Sequence, residues 1–415
     1  SWKAKITTGL SYVRTTRRQK EDKFTLAEQG NSLDLVDGDP TAYFNDSNLV
    51  VTPGQDYIYT ALGTDPKNTD EGSLNVLGAY VMLDAKVNER LSGNFGLRIE
   101  KADMEIQTGI DTTDLTPLQI ATTRGFLNES DFMPSLNMTY VLGKVDPIKA
   151  TNLRFAYSRT LARPVFREKA PFRSFDFETL QVLKGNPALD QTRIDNFDLR
   201  LEHYPNLGEV LSASLFFKRF TDPIEQNTVL EAVNTELTWS NLPYANVWGV
   251  EFEGRKNLGN VTDARFIRNL SVGGNISLIR SASRIWRNEL ETIRAQNPMQ
   301  SETRPLFGQA PYIVNTTLTY FNDSSGFTAT LAYNVQGPKV LLVTLGSLPN
   351  VMQQPTPMLD LSVGKMLNDN IRFGFKARNI LNPRDRKTHL FNGELYDWNS
   401  FTRGTTYSIS LSYRI

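Results

Sequence analysis

The 415-residue sequence has no cysteine, which excludes disulfides, thiolate metal sites and thiol nucleophiles. Histidine is almost as scarce: only His203 and His389 occur, leaving little material for imidazole catalysis or metal binding. No stretch approaches about 18 consecutive apolar residues, so no membrane-spanning helix is expected. Neither sign of charge is in excess, because 45 Lys and Arg balance 45 Asp and Glu. That balance argues against a nucleic-acid partner, which would call for a basic surplus. The opening SWKAKITTGL has no signal-peptide pattern and begins inside a strand-like alternation, as though continuing something longer. Helical periodicity is nearly missing, and only residues 285–296 predict a short loop helix.

What the sequence has instead is alternation with a period of two. Leu77, Ala79, Val81, Leu83, Ala85 and Val87 run into Asn88-Glu89-Arg90. Leu91, Gly93, Phe95, Leu97 and Ile99 run out, with Asn94, Arg98 and Glu100 on the other face. The pattern recurs across 136–157, 197–217, 246–255, 270–278, 312–335 and 359–377. It closes with Tyr407, Ile409, Leu411, Tyr413 and Ile415 against Thr406, Ser408, Ser410, Ser412 and Arg414. With a first segment through Ile6, Leu10 and Tyr12, about 14 strands are predicted.

The connections carry the second signal. Short turns are predicted near 88–90, 143–150, 205–209, 322–326 and 367–370, with a longer member near 257–268. Long polar loops are predicted near 21–72, 109–130, 161–192, 221–240, 281–308, 337–356 and 382–402. Short turns at one end and long loops at the other is the layout of an outer-membrane barrel. Soluble sandwiches, solenoids and propellers also alternate, but no fixed repeat is present, and so many strands are unusual for one sandwich. The expected fold is therefore all-β, a transmembrane antiparallel barrel with apolar faces on lipid and polar faces on the lumen. The C-terminus falls on the short-turn side, expected to be periplasmic, with the long loops extracellular. Tyr140, Tyr204, Trp248, Tyr320 and Tyr413, near strand ends, fit interfacial belts.

Several stretches resemble the C-terminal barrel of TonB-dependent outer-membrane receptors, in the style seen in Bacteroidetes. They are LRFAYSRTLARPVFREKAP (153–171), LKGNPALDQTRIDNFDLRLEHYPNLGE (183–209), SASLFFKRFTDPIE (212–225), NVWGVEFEGRKNLG (246–259), PLFGQAPYIVNTTLTY (305–320), LDLSVGKMLNDNIRFGFKARNILNP (359–383) and the closing GTTYSISLSYRI. The resemblance implies a barrel of about 22 strands with an N-terminal plug, energised through TonB in a Gram-negative outer membrane. No plug and no TonB box are found in the sequence, so it is expected to be the C-terminal portion of such a barrel. The implied function is energised uptake of a scarce solute, such as a ferric siderophore, vitamin, glycan or peptide. The alternative is a passive pore of about 14 strands. Implied partners are outer-membrane lipid and lipopolysaccharide, the TonB complex through the missing N-terminal part, and a surface lipoprotein over the loops.

Candidate sites fall into two groups. Arg98, Glu100, Arg154, Asp198, Arg200, Glu202, Glu251, Glu253, Arg255, Arg372, Lys376 and Arg378 lie on predicted inward faces. They form either a wall for a plug or solute path, or a self-paired network that avoids lone charges. In the loops, Arg163, Arg167, Lys169 and Arg173, then Arg284, Trp286, Arg287, Arg294 and Arg304, then Arg384, Arg386 and Lys387 are candidate contacts for an anionic ligand. Contact with lipopolysaccharide or plain solvation are the competing readings for them. Asp34, Asp37, Asp39 and Asp46 hint at a calcium loop but lack the spaced terminal glutamate of an EF-hand. His203 beside Tyr204 reads as interfacial, and His389 has no carboxylates spaced for metal. No G-x-S-x-G motif occurs, and no enzyme or cofactor is expected.

Overall fold

The computed structural model describes residues 3–29, 40–49, 57–63, 69–109, 113–143, 149–176, 181–230, 235–262, 264–295, 297–345, 349–391 and 393–414. Fourteen strands follow one another in a single sheet, each antiparallel to the next. They are β1 (Lys3–Lys20), β2 (Thr69–Lys86), β3 (Leu91–Thr108), β4 (Arg124–Leu142), β5 (Ala150–Ala162), β6 (Thr192–Tyr204) and β7 (Val210–Thr221). The second half comprises β8 (Tyr244–Asn257), β9 (Leu270–Arg284), β10 (Tyr312–Asn322), β11 (Phe327–Gln336), β12 (Met358–Met366), β13 (Ile371–Arg378) and β14 (Thr406–Tyr413). A two-residue strand, Thr303–Arg304, flanks β9. Strands β1 and β14 are the edges, and no ladder joins them among the described residues.

Register puts the alternating apolar residues on one face of the sheet. Leu83 lies opposite Phe95, which lies opposite Leu136. Leu199 and Leu215 meet Val250, which meets Leu278. Phe375 and Ile409 continue the same face. These side chains are exposed or half-exposed, up to 74% for Ile409, because no described residue covers them. A contiguous exposed apolar band on the outer face of a sheet is what lipid contact demands.

Strands β1 to β4 are 18 or 19 residues long. A tilted strand needs only about 9–11 residues to cross a bilayer. The surplus carries a reversal. On β3, the outward residues run apolar from Leu91 to Ile99, then turn polar at Lys101, Asp103 and Glu105. The inward residues do the opposite, with Ala102, Met104 and Ile106 buried. The switch recurs one residue pair higher on β1 and β2: Tyr12 pairs with Leu77, and Leu77 with Lys101, while Arg14 pairs with Asn75, and Asn75 with Asp103. It marks where the outer face leaves hydrocarbon for water. Beyond it, the inner face of the protruding strands builds a small core of Met104, Ile106, Leu127, Ala170 and Phe172. The apolar-outward rule alone would place Thr69–Asn75 and Arg124–Ser130 in loops, but they are strand.

The described short connections follow the predicted positions, and two of them share one device. At Asn88, the side-chain carbonyl accepts from Arg90 N and Leu91 N, both at 2.8 Å. Asn368 does the same for Asn370 N and Ile371 N, at 3.0 and 2.7 Å. An asparagine thus closes each turn before the chain reverses. The loop helix forms at Arg287–Arg294. A second helix, Pro117–Thr123, was not predicted and starts with a Thr116–Gln119 capping box.

Two expectations need correction. Tyr204 lies on the inward-facing set with Glu202 and not in a lipid belt, because residues two apart share a face. The long loops are not mere polar coil. Hairpins Arg173–Asp176/Gln181–Lys184, Ile224–Leu230/Thr235–Asn241, Lys339–Thr344/Val351–Gln353 and Arg384–Phe391/Glu394–Thr402 join edge to edge in a second, eight-stranded sheet.

On the short-turn side, Glu209 fastens two neighbouring connections. Its buried carboxylate accepts from Lys256 Nζ (2.9 Å), Asn206 Nδ2 (2.9 Å), Asn260 Nδ2 (2.8 Å) and Asn257 N (3.1 Å). The Lys256 ammonium and these donors outweigh burial and hold its pKa down to about 2. A depressed carboxylate stabilises the fold fully above its unfolded pKa of roughly 4.3 and loses that contribution as pH falls towards 2. Glu209→Gln should therefore lower the thermal unfolding midpoint at neutral pH. The gap to wild type should close between about pH 5 and 2, as followed by heat-dependent gel mobility or calorimetry.

Candidate functional site

The inner face of the wall is built from the residues between the lipid-facing ones, and its charges meet across neighbouring strands. On β3, Glu100 accepts from Arg98 Nε at 2.7 Å and from an Arg163 guanidinium nitrogen at 2.6 Å. Arg98 also reaches over β2 to donate to Ser11 on β1 at 2.9 Å. Gly78 makes this crossing possible, since a Cβ there would lie 2.5 Å from the guanidinium. Arg163, expected as a loop ligand contact, is thus a rim member of the wall network.

A second network spans β5 to β8. Glu202, only 3% exposed, accepts from Arg154 Nε, Asn152 Nδ2 (3.2 Å) and Arg200 Nε (3.1 Å). Arg200 then donates to Glu253 at 2.7 Å. From Glu251 a neutral chain continues: Asn275 donates to Glu251 at 3.0 Å, Asn315 to Asn275 at 2.9 Å, and Asn334 to Asn315. This asparagine ladder crosses four strands and escapes sequence reading, because it exists only once register is known. Arg255 Nε caps Gly208 O at 2.7 Å. Asp198, Arg372, Lys376 and Arg378 stay on the inner face without an ion-pair partner among the described residues. Local pairing lowers the cost of charge in a low-dielectric wall. The three cations of β13, facing only serines and threonine of β14, leave that stripe positive.

The loop cations are mostly engaged by partners within the loops, some of them in the second sheet. Parallel contacts of Val182 with Glu236 and of Asn227 with Val343 join the hairpins, over a core of Leu183, Leu237, Leu342 and Val351. Buried Glu236 takes Arg173 and Lys184. Buried Arg304 takes Glu225 and Glu289. Burial pushes the Glu225 carboxyl up against the pull of Arg304. Arg284 pairs with Glu302, Arg287 with Glu291, and Arg386 with Asp397. Arg294 donates to Gln300 O, and Lys387 lies 5.9 Å from the Trp398 ring centroid. Arg167 donates to Ser174 Oγ at 2.6 Å.

Lys169 overturns the expectation of an exposed cation. It is 2% exposed, and Nζ donates to Pro187 O at 2.7 Å and to Leu189 O. Burial pulls its pKa down, with Asp190 opposing. It is an internal strut for the GNPAL turn, whose Gly185 packs so closely on Ala170 O that a Cβ would stand 1.9 Å away. Nothing local in REKAPFR signals this.

Asn241, also missed, ties three loops: Nδ2 donates to Asp190 O (3.0 Å) and Asp222 O (2.8 Å), and its carbonyl accepts Trp286 Nε1 (2.8 Å). Trp286 remains 48% exposed beside the exposed Arg287, and Arg384 is exposed with no ion-pair partner among the described residues. His203 Nδ1 lies 2.9 Å from Thr151 Oγ1 and His389 Nδ1 lies 2.8 Å from Pro349 O. Asp34, Asp37 and Asp39 lie outside the described residues, and Asp46 opens a short helix. The arrangement lines a passage and presents a loop surface.

Glu202→Gln should destabilise the wall by about 1.5–3 kcal/mol, the worth of hydrogen bonds to a charged group. Asp198→Asn, on the same face, should change stability by less than about 0.5 kcal/mol. Denaturant unfolding in detergent micelles checks both.

A family model described as "TonB dependent receptor-like, beta-barrel" matches residues 2–380. Among solved structures, the copper transporter OprC is 14% identical with a TM-score of 0.61, covering 99% of this chain and 54% of that one. The closed form of the ferric-catecholate import receptor Fiu from Escherichia coli K12 is 14% identical with a TM-score of 0.60, covering 99% and 52%. The ferric yersiniabactin uptake receptor FyuA from Yersinia pestis is 15% identical with a TM-score of 0.54, covering 86% and 49%. The chain thus spans about half the length of these structures. No curated protein matches the sequence. With its band of outward apolar residues, its polar inner wall and its loops gathered at one end, the chain belongs to the TonB-dependent receptor-like β-barrel family, a family of outer-membrane transport receptors and not of enzymes.

Proposed function

We propose that these residues form the rear wall and outer loops of an energised import receptor. The long loops lie outside the cell and the C-terminus in the periplasm. Solute binds on the loop side, and TonB acts through a plug supplied by residues outside the 415. The observation that carries this reading is the open-edged sheet of fourteen strands with four of its long loops joined in a second sheet. A complete 14-stranded pore would require a β1–β14 ladder, and none exists among the described residues. In a larger barrel both edges pair with further strands, as backbone groups in lipid must.

The scarce solute is of the class such receptors take: a ferric siderophore, vitamin, glycan or peptide. The solved relatives named for copper, ferric catecholate and ferric yersiniabactin support the metal-chelate end of that range through fold likeness alone. Of the loop candidates, Trp286, Arg287 and Arg384 are the exposed ones we retain as ligand contacts. The inner stripe of Arg372, Lys376 and Arg378 faces the plug or the passing solute. Uptake tests the reading, with labelled ferric chelates, cobalamin, oligosaccharides and peptides offered in turn to cells that carry the whole protein. Accumulation of one of them should fall to background when TonB is deleted or a protonophore is added. Uptake that persists unchanged would favour the passive pore.

A further inference from the structure

On the outer face, four adjacent strands place aromatic rings in one row. Tyr157 pairs with Phe197, Phe197 with Phe217, and Phe217 with Trp248. The first two ring pairs have centroids 4.9 and 6.2 Å apart. Such a row on the lipid-facing side sits at headgroup depth. One residue pair further towards the loops, the same face carries Arg159, Asp195, Arg219 and Asn246, and Arg280 on β9 lies in register with Trp248. The patch thus holds three guanidiniums and one carboxylate, with Asp195 in register between Arg159 and Arg219.

That carboxylate is already engaged. Arg159 grips both oxygens of Asp195, at 2.9 and 3.1 Å, and the Tyr157 hydroxyl donates to it at 2.9 Å. Arg219 and Arg280 are exposed, with no ion-pair partner among the described residues. They stand two strands apart and two residues out of register, about 12 Å from the usual strand spacing and rise. Elsewhere on this rim the outward lysine is compensated, since Lys101 contacts Asn128 and Asp103. Lone guanidiniums are costly in hydrocarbon and favourable against anionic headgroups, where arginine binds phosphate through two parallel hydrogen bonds.

We propose that Arg219 and Arg280, above the Tyr157–Phe197–Phe217–Trp248 row, bind the phosphates of an outer-leaflet glycolipid. The choice of leaflet rests on the orientation given under Proposed function. The surplus of positive charge selects a phosphorylated glycolipid over zwitterionic phospholipid. The two-strand spacing suits a headgroup that offers more than one phosphate.

The test uses the whole receptor, extracted from its native outer membrane in mild detergent. Retained lipopolysaccharide and phospholipid are quantified by mass spectrometry in wild type, Arg219→Gln/Arg280→Gln, Arg219→Lys/Arg280→Lys and, as a control, Arg287→Gln. Retained lipopolysaccharide should fall roughly fivefold per arginine neutralised. The lysine pair and Arg287→Gln should keep most of it, which also shows that the barrel is intact. Equal retention in wild type and the glutamine pair would overturn the proposal, as would loss of phospholipid with lipopolysaccharide untouched. Orientation is read separately: Asn288→Cys should react with a membrane-impermeant maleimide on intact cells, over the background of the receptor without it. Labelling with no change in lipid sinks the lipid site alone. Absence of labelling removes the orientation and the glycolipid with it.

Discussion

The constraint behind this structure is that each strand must satisfy two solvents along its length. Within the bilayer, every backbone donor and acceptor has to pair with a neighbouring strand, and the side chains facing outward have to be apolar. Above it, the same strands meet water on the outside and the chain's own loops on the inside. The change of sign on β3 between Ile99 and Lys101 is the direct consequence. Inward burial of Ala102, Met104 and Ile106 then gives the loop around Ala170 and Phe172 something to pack against. The loop plate is anchored to the wall because the wall reverses its polarity.

That reversal also explains what could be read from the sequence. Alternation located the strands and the short turns, since asparagines such as Asn88 and Asn368 mark reversals by local chemistry. It also assigned Arg98, Arg200, Glu202 and Glu253 to the inner face, which follows from period two alone. It failed above the membrane, where apolar residues point inward and the template inverts. It failed again in the loops, where hairpins meet through as few as two residue pairs. Lys169 and Asn241 were beyond reach for the same reason. Their partners are backbone carbonyls and amides of residues distant along the chain, and no side-chain pattern encodes those.

Function follows from how charge is distributed between wall and loops. The inner wall of β3 to β8 pairs its charges through Glu100 and Glu202, β8 to β11 continue it with asparagines, and β13 carries three cations without an ion-pair partner among the described residues. The inner wall is therefore mostly held by its own hydrogen bonds and ion pairs, with a positive strip along β13. In the loops, ion pairs such as Arg304 with Glu225 and Arg173 with Glu236 stiffen the plate.

The central claim is the polarity switch on a single continuous strand. Single cysteines placed at each odd position of β3 in the receptor, in lipid bilayers, would carry spin labels read against oxygen and a water-soluble relaxant. The account predicts oxygen-rich, lipid-facing labels from Leu91 to Ile99 and water-facing labels at Lys101, Asp103, Glu105 and Gln107, with one crossing between Ile99 and Lys101. Uniform water exposure along the strand, or lipid exposure continuing through Glu105, would contradict it.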